Sequence, residues 1–484
     1  MWAPCVSFRL HLAALQHGRQ AVGQGVHPAV DSDWSQAAMA VATCMEPFAP
    51  MQATGRPAPA SPVLARADLR LALLLALASL GIYAGLGLRL AQGQYAEFFN
   101  LAFDFDPPRY LAIMALEEHQ RGNVKHPLIV LLRPLAWPLR AAGFAPKQAA
   151  ALVMAGMGTA TVAVVFLYLR SLRVATATAT ALAALFAVSG CQVITSMIPE
   201  AYGPAALGVA ATWLLAVWRL ADLRHGRAMR FVLAAYAYGV TSTNIMQPVL
   251  AEALAWLRHR GLAGAIRPMM LYGAAVVLLC AALTALVWFD MLAAFLADPL
   301  AVAKTVYWQR TRGFREDLLE TVLRLVGFSV VSPRFTPVEL AADGITMLDF
   351  RAPSFGPLGL VAFLAWHAFW LAGAVAAVLH RRTRWLALGL WAMLLINIAF
   401  HLEFQFRGSI YLYAAHTHFL VFALGAGLAP VLRAGQAAAR VYLWVVLVLV
   451  GLVGAVTLER AWELATAFDV VRAGCPAPCP EPLR

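Results

Sequence analysis

Nine stretches of roughly twenty residues run through this chain almost without charge. They are Leu69–Leu90, Ala149–Leu169, Val174–Ile194, Tyr202–Trp218, Met269–Trp288, Leu358–Leu379, Trp385–Phe400, Ile410–Leu428 and Val441–Leu458. A hydrocarbon core about 30 Å thick takes about 20 residues of α-helix. Inside lipid every backbone N–H and C=O must be paired within the protein, which helices do by themselves. Composition agrees: 61% of the 484 residues are apolar and 13% charged, against ~45–50% and ~25% in soluble domains. A cytosolic enzyme, a disordered chain and a small disulfide scaffold are excluded. The expected fold class is an all-α polytopic membrane protein.

The net charge of +12 does not point to nucleic acid. Only Lys125, Lys147 and Lys304 are lysines among the 37 basic residues. Placement is more informative, because Lys/Arg excess marks cytoplasmic loops. Five short connections are basic: Arg170/Arg173, Arg219–Arg230, Arg258–Arg267, Arg381–Arg384 and Arg433/Arg440, opposed only by Asp222. All five share a side only if Phe231–Leu257 crosses and returns. That segment is long for one helix and short for two, and Thr241–Gln247 followed by Pro248 supplies a polar break. The reading is about eleven transmembrane helices in the plasma (inner) membrane, with the N-terminus cytoplasmic and the C-terminus outside.

Residues 1–65 lack periodicity and read as a disordered leader. The transmembrane domain spans 66–460, and 461–484 forms an outer tail in which Cys475 and Cys479 are spaced to pair in an oxidising space. Two long outer loops follow from the topology, 91–148 and 290–357. Loops of that length are usually functional or disordered. The first carries the proline-interrupted apolar run from His126-Pro127-Leu128 to Gly143, which reads as interfacial helices. The second mixes Trp308, Phe314 and Phe328 with Arg310, Arg312, Arg315, Arg324 and Arg334, as a lid would.

Chemistry-bearing residues gather on the outer side. Asp104 and Asp106, in Phe103-Asp104-Phe105-Asp106-Pro107-Pro108-Arg109, sit shortly after the first helix. A carboxylate there can take a proton from an attacking hydroxyl or bind a divalent cation. It can equally cap a helix whose first turn holds the prolines. Glu200 occupies a very short outer loop, as a partner for these acids or as a cap for the helix starting near Tyr202. Glu252 lies inside an apolar run, where a charge costs about 2.5–3.5 kcal/mol on insertion, so it must face a partner or a cavity. His401–Arg407 forms another outer loop, and Tyr413, His416 and Thr417 share a face of the helix after it. No phosphate-binding glycine loop, dinucleotide fingerprint, His-Glu-x-x-His or paired Cys-x-x-Cys is present, so an outer substrate would need an already activated donor. No cofactor is fixed by the residues, and a divalent cation stays open.

The layout resembles the GT-C superfamily of integral-membrane glycosyltransferases, which includes protein O-mannosyltransferases, aminoarabinose transferases and RgtA/B/C/D-like bacterial proteins. The resemblance rests on a first helix, an acidic outer loop with Asp104/Asp106, then His126-Pro127-Leu128, Glu200 after the third span, a broken hairpin, a large later loop and Leu412-Tyr413-Ala414-Ala415-His416. It implies inverting transfer of a sugar from a polyprenyl-phosphate donor to a lipid, glycan or protein acceptor. It also implies Asp104 or Asp106 as general base, Glu200 as a second acid, and Arg109, His126, Arg407, Tyr413 and His416 at the substrate. Arg310, Arg312, Arg334 and Arg407 are candidates for the donor phosphate. Relatives often carry adjacent acids in the first loop; here Phe105 separates them, leaving both as candidates for the base. Two other readings remain: a transporter or flippase of lipid-linked sugars, and a non-catalytic family member. Transporters often show internal repeats and midplane sites; no repeat is visible here.

Overall fold

The computed structural model describes residues 64–98, 101–115, 127–128, 132–287, 293, 296–298, 318–340, 345–350, 354–403, 409–432 and 436–469. The leader before residue 64, His126, Trp308, Arg310, Arg312, Phe314, Arg315, Arg407, Arg433, Cys475 and Cys479 lie outside the described residues.

The described chain is predominantly helical. In order come α1 (Arg66–Gln92), α2 (Pro107–Ala115), α3 (Leu132–Ala141), α4 (Pro146–Ser171), α5 (Thr176–Ala187), α6 (Gly190–Met197), α7 (Tyr202–Ala221), α8 (Met229–Val240), α9 (Met246–Val287), α10 (Pro357–Leu379), α11 (Arg384–Glu403), α12 (Ala414–Gly425) and α13 (Ala437–Ala467). Among the described residues, eight helical segments are long and apolar enough to cross a membrane, and α5 with α6 forms a further, bent one. Leu73, Leu77, Leu278, Leu286, Val361 and Val448 are exposed on these helices. Such a continuous apolar exterior is tolerable only against lipid. The chain is an all-α polytopic membrane protein.

Three departures from uniform rods position the site. The stretch expected as one span over Val174–Ile194 bends by 58° between α5 and α6. The Ser189 hydroxyl donates to Phe186 O at 2.6 Å. The freed N–H groups of Gly190 and Cys191 donate to Val330 O and Ser329 O at 2.9 and 2.8 Å. A distant loop thus satisfies backbone that lipid could not.

The second is the broken hairpin. α8 ends at Val240, a single 3₁₀ turn covers Ser242–Ile245, and α9 begins at Met246. Gly261, at φ 66°, then divides α9 into arms 246–260 and 262–287. Only glycine takes that conformation without steric cost. The second arm runs alongside α8 in the same direction: Tyr272 meets Phe231 and the Arg230 carbonyl, while Thr284 bonds Tyr238.

The third is a two-stranded antiparallel hairpin, β1 (Thr336–Leu340) and β2 (Ile345–Asp349), inside the second long loop. The first loop joins it, because Ala102 bridges Leu348 in parallel. The two five-residue strands satisfy each other's backbone groups within the second loop, and the first loop adds one rung through Ala102. The small sheet is an addition to the all-helical architecture expected from sequence.

Side-chain contacts sort the helix ends. At one end Arg170 of α4 pairs with Asp68 of α1 at 2.7 Å. Trp218 Nε1 donates to Ser171 Oγ at 2.9 Å, and His259 Nε2 lies 3.2 Å from Arg219 O. Thr383 lines a small void with Leu172. The basic loops around Arg170, Arg219–Arg230, Arg258 and Arg381–Arg384 therefore share this end. At the other end Gln94 N–H donates to Phe468 O at 2.9 Å and Lys147 Nζ to Gly93 O at 3.2 Å. That end carries Asp104, Asp106 and Glu200. Between the ends, α10 and α12 cross closely: a Cβ at Gly373 would lie 1.8 Å from Gly425 O. Small residues permit such an approach between membrane helices.

Candidate functional site

The loop after α1 forms a short turn, Tyr95–Glu97, and resumes as an extended segment from Leu101. Phe103 N–H donates to Leu348 O at 2.9 Å and Leu348 N–H to Leu101 O at 3.0 Å. Phe103 and Asp104 then adopt left-handed backbone, at φ 50° and 59°. Such positions cost about 1–3 kcal/mol for a residue with a Cβ and persist only where the surroundings over-determine them. Here they do. The Phe103 ring is fully buried, 4.7 Å between centroids from both Phe350 and Tyr411. The prolines that open α2 follow directly, and Arg109 N–H donates to Asp106 O at 3.1 Å.

This geometry delivers the acids. Asp104, Asp106 and Glu200 are 6%, 2% and 3% exposed. Glu200 Oε2 accepts the Asp106 N–H at 2.9 Å, and Glu200 Oε1 accepts the Ala201 N–H at 3.0 Å. Glu200 thus ties Ala201, the residue that precedes α7, to the acidic loop across 94 residues of chain. Arg109 Nη1 pairs with Asp106 Oδ2 at 2.8 Å. The acids lie buried rather than spread along an open hollow.

Tyr95 completes the cluster, and sequence reasoning missed it. Its phenol is fully buried and its hydroxyl has no hydrogen-bond partner. Burial first, then the negative charge of Glu200 and Asp106, pushes this phenol well above its usual pKa. It is thus a neutral donor throughout physiological pH. The Arg109 Nε–H is likewise buried without a partner. Two donors left over beside carboxylates mark a place where a ligand oxygen could be bound. A tyrosine three residues past a helix end is too common a pattern to have flagged it.

Aromatic and imidazole rings form the adjoining wall. Tyr413, in the turn Tyr411–Tyr413 before α12, stacks on His401 of α11 at 4.2 Å and on His416 of α12 at 6.3 Å. Tyr202 of α7 meets His416 at 5.4 Å, Tyr413 at 6.2 Å and Phe105 at 5.9 Å. The expected residues Asp106, Glu200, Arg109, Tyr413 and His416 thus join one connected group, and Asp104 is buried two residues before Asp106. Tyr202 and Tyr95 are additions.

Beneath lies a buried ion pair that fastens the second loop. Arg324 Nη1 is 3.3 Å from Asp349 Oδ2, and both are essentially unexposed. Asp349 Oδ1 also accepts from Ser409 Oγ at 2.7 Å and Phe350 N–H at 2.8 Å. Among the described residues no group of three or more His, Cys, Asp or Glu is arranged to hold a metal ion.

Compared with models of protein families, with curated proteins and with solved structures, the chain matches none of them.

Proposed function

We propose that the protein is a membrane glycosyltransferase of GT-C type, moving a sugar from a polyprenyl-phosphate donor to a lipid, glycan or protein acceptor. The observation that carries this reading is the joining of Asp106 to Glu200, from two separate loops at one membrane end. In the reaction the acceptor hydroxyl oxygen attacks the anomeric carbon and the bond from that carbon to the phosphate oxygen breaks. The hydroxyl proton passes to Asp104 or Asp106, and the polyprenyl phosphate leaves with the bonding pair. Inversion follows from attack opposite the leaving group. Tyr95 and Arg109 supply donors to substrate oxygens, and Glu200 holds the loop that carries the base. Tyr202, Tyr413 and His416 offer ring faces to a sugar.

Eleven membrane crossings complete this picture: the bent α5–α6 pair counts once, α8 once and each arm of α9 once. The arginine-rich end is cytoplasmic under the positive-inside rule, so the acidic end faces outward. In a background lacking the native cysteines, Arg227→Cys should resist a membrane-impermeant thiol reagent in intact cells, and Ser354→Cys should react. Both residues are exposed, so the reverse pattern would invert the topology.

The decisive test incubates purified protein with a panel of polyprenyl-phosphate sugars and follows release of polyprenyl phosphate. Turnover of at least one donor is expected. No turnover across hexose and pentose donors, with an acceptor extract present, would leave the flippase reading in its place.

A further inference from the structure

A second polar site lies at the acidic end, sharing no residue with the carboxylate cluster. It is a cavity of about 150 Å³ between the second loop, the start of α10 and the last turns of α13. One water needs about 10–15 Å³ of such space, so a group of several heavy atoms fits. Its walls include Ser332, Arg334, Ser354, Leu358, Glu459 and Arg460.

Two features give this cavity a preference for a phosphate. The first is the N-terminus of α10. No side chain caps it, and Pro357 occupies its first turn. The N–H groups of Leu358 and Gly359 therefore have no partner inside the helix, and the helix dipole favours an anion there. The second is a pair of guanidinium groups. Arg334 is exposed at the mouth with its backbone fixed by an N–H bond to Ser354 O at 2.8 Å. Arg460 is 6% exposed and tied to Glu463 and, at 3.2 Å, to Glu459. Ser332, 1% exposed, closes the floor of the cavity with its hydroxyl turned toward Gly190 and Tyr411.

The surroundings say what carries the phosphate. Leu358, Val361 and Leu364 continue from the cavity along the exposed face of α10, a path for an acyl chain. Trp462, exposed on α13 one turn beyond Glu459, sits where aromatic side chains mark the membrane–water interface. The lining is also mixed in sign. Arg334 and Arg460 face a phosphate, and the largely exposed Glu459 carboxylate offers a partner for an ammonium group.

We propose that this cavity binds the zwitterionic headgroup of an aminophospholipid of the bilayer: phosphate on Arg334 and the α10 N-terminus, ammonium on Glu459. The assignment takes Arg334 from among the donor-phosphate candidates, and neither the acids nor a donor sugar enters it.

The test is native mass spectrometry of the full chain, released from micelles doped in turn with phosphatidylethanolamine, phosphatidylcholine, polyprenyl phosphate or inorganic phosphate. Wild type should retain one phosphatidylethanolamine in preference to the others. Arg334→Gln should lower that retention about tenfold, and Arg382→Gln, at the opposite end, should leave it unchanged. Ser354→Asp places a negative charge at the mouth on an exposed residue and carries the test should Arg334→Gln fail to elute as wild type. Undiminished retention in these variants overturns the proposal. So does equal retention of phosphatidylcholine, displacement by millimolar inorganic phosphate, or preference for polyprenyl phosphate.

Discussion

Glu252→Ala is expected to destabilise the protein by about 3–5 kcal/mol, the range for removing one partner of a buried ion pair. Glu252 is 2% exposed and carries two cations. Arg219 binds it twice, Nε to Oε2 at 2.5 Å and Nη2 to Oε1 at 2.7 Å. Arg230 Nη1 reaches Oε1 at 2.5 Å, and Trp256 Nε1 donates to the same oxygen at 2.7 Å. Arg219 Nη1 also donates to Leu223 O and His225 O at 2.7 and 2.9 Å. Alanine would leave two guanidinium groups facing a low-dielectric gap without a counter-charge. Glu252→Gln should fall between, because it keeps an acceptor and loses the charge. Thermal unfolding in detergent, followed by gel filtration, reads the result. If Glu252→Ala melts with wild type, the ion triad does not hold α7, α8 and α9 together.

The second large effect concerns transfer. Asp104→Asn and Asp106→Asn preserve side-chain size while removing the capacity to accept a proton. Whichever is the base should lose about 10²–10⁴-fold in rate, the usual contribution of general base catalysis. The other should show a smaller loss. For Asp106 that loss would reflect the weakened pair with Arg109, now 2.8 Å away. Both variants should elute as wild type, since substitution of one oxygen by nitrogen leaves the backbone bonds of the loop intact. Donor turnover is the measurement. Full rates in both would remove these carboxylates from the reaction and require another base.

Much of the helical layout was legible because lipid imposes a simple rule on sequence. Apolar length located α1, α4, α7, α10 and α13 to within a few residues at most ends, although α13 runs on to Ala467. Charge placement required Phe231–Leu257 to turn back, and the break at Thr241–Ile245 is where the polar residues fall. Glu252 was marked as needing a partner, which Arg219 and Arg230 supply. What stayed hidden depends on partners far along the chain. The bend before Gly190 is stabilised by carbonyls of Ser329 and Val330, and no local pattern in an Ala-rich run announces it. The hairpin β1–β2 is only ten strand residues within a long loop, too short for alternation to stand out. Tyr95 is distinguished by its burial and by the charges folded around it. The site was thus readable as a set of acids on one side, and unreadable as a geometry.

The bridge between Ala102 and Leu348 has a mechanical corollary. Segments separated by some 240 residues of chain share one rung of sheet, so the acidic turn has no freedom of its own. A displacement of β2 is carried through the Phe103–Leu348 hydrogen bond to Asp104 beside it. On the proposed transferase reading, a clamp engineered across that rung should hold the acidic turn, and with it the candidate base, in a single setting.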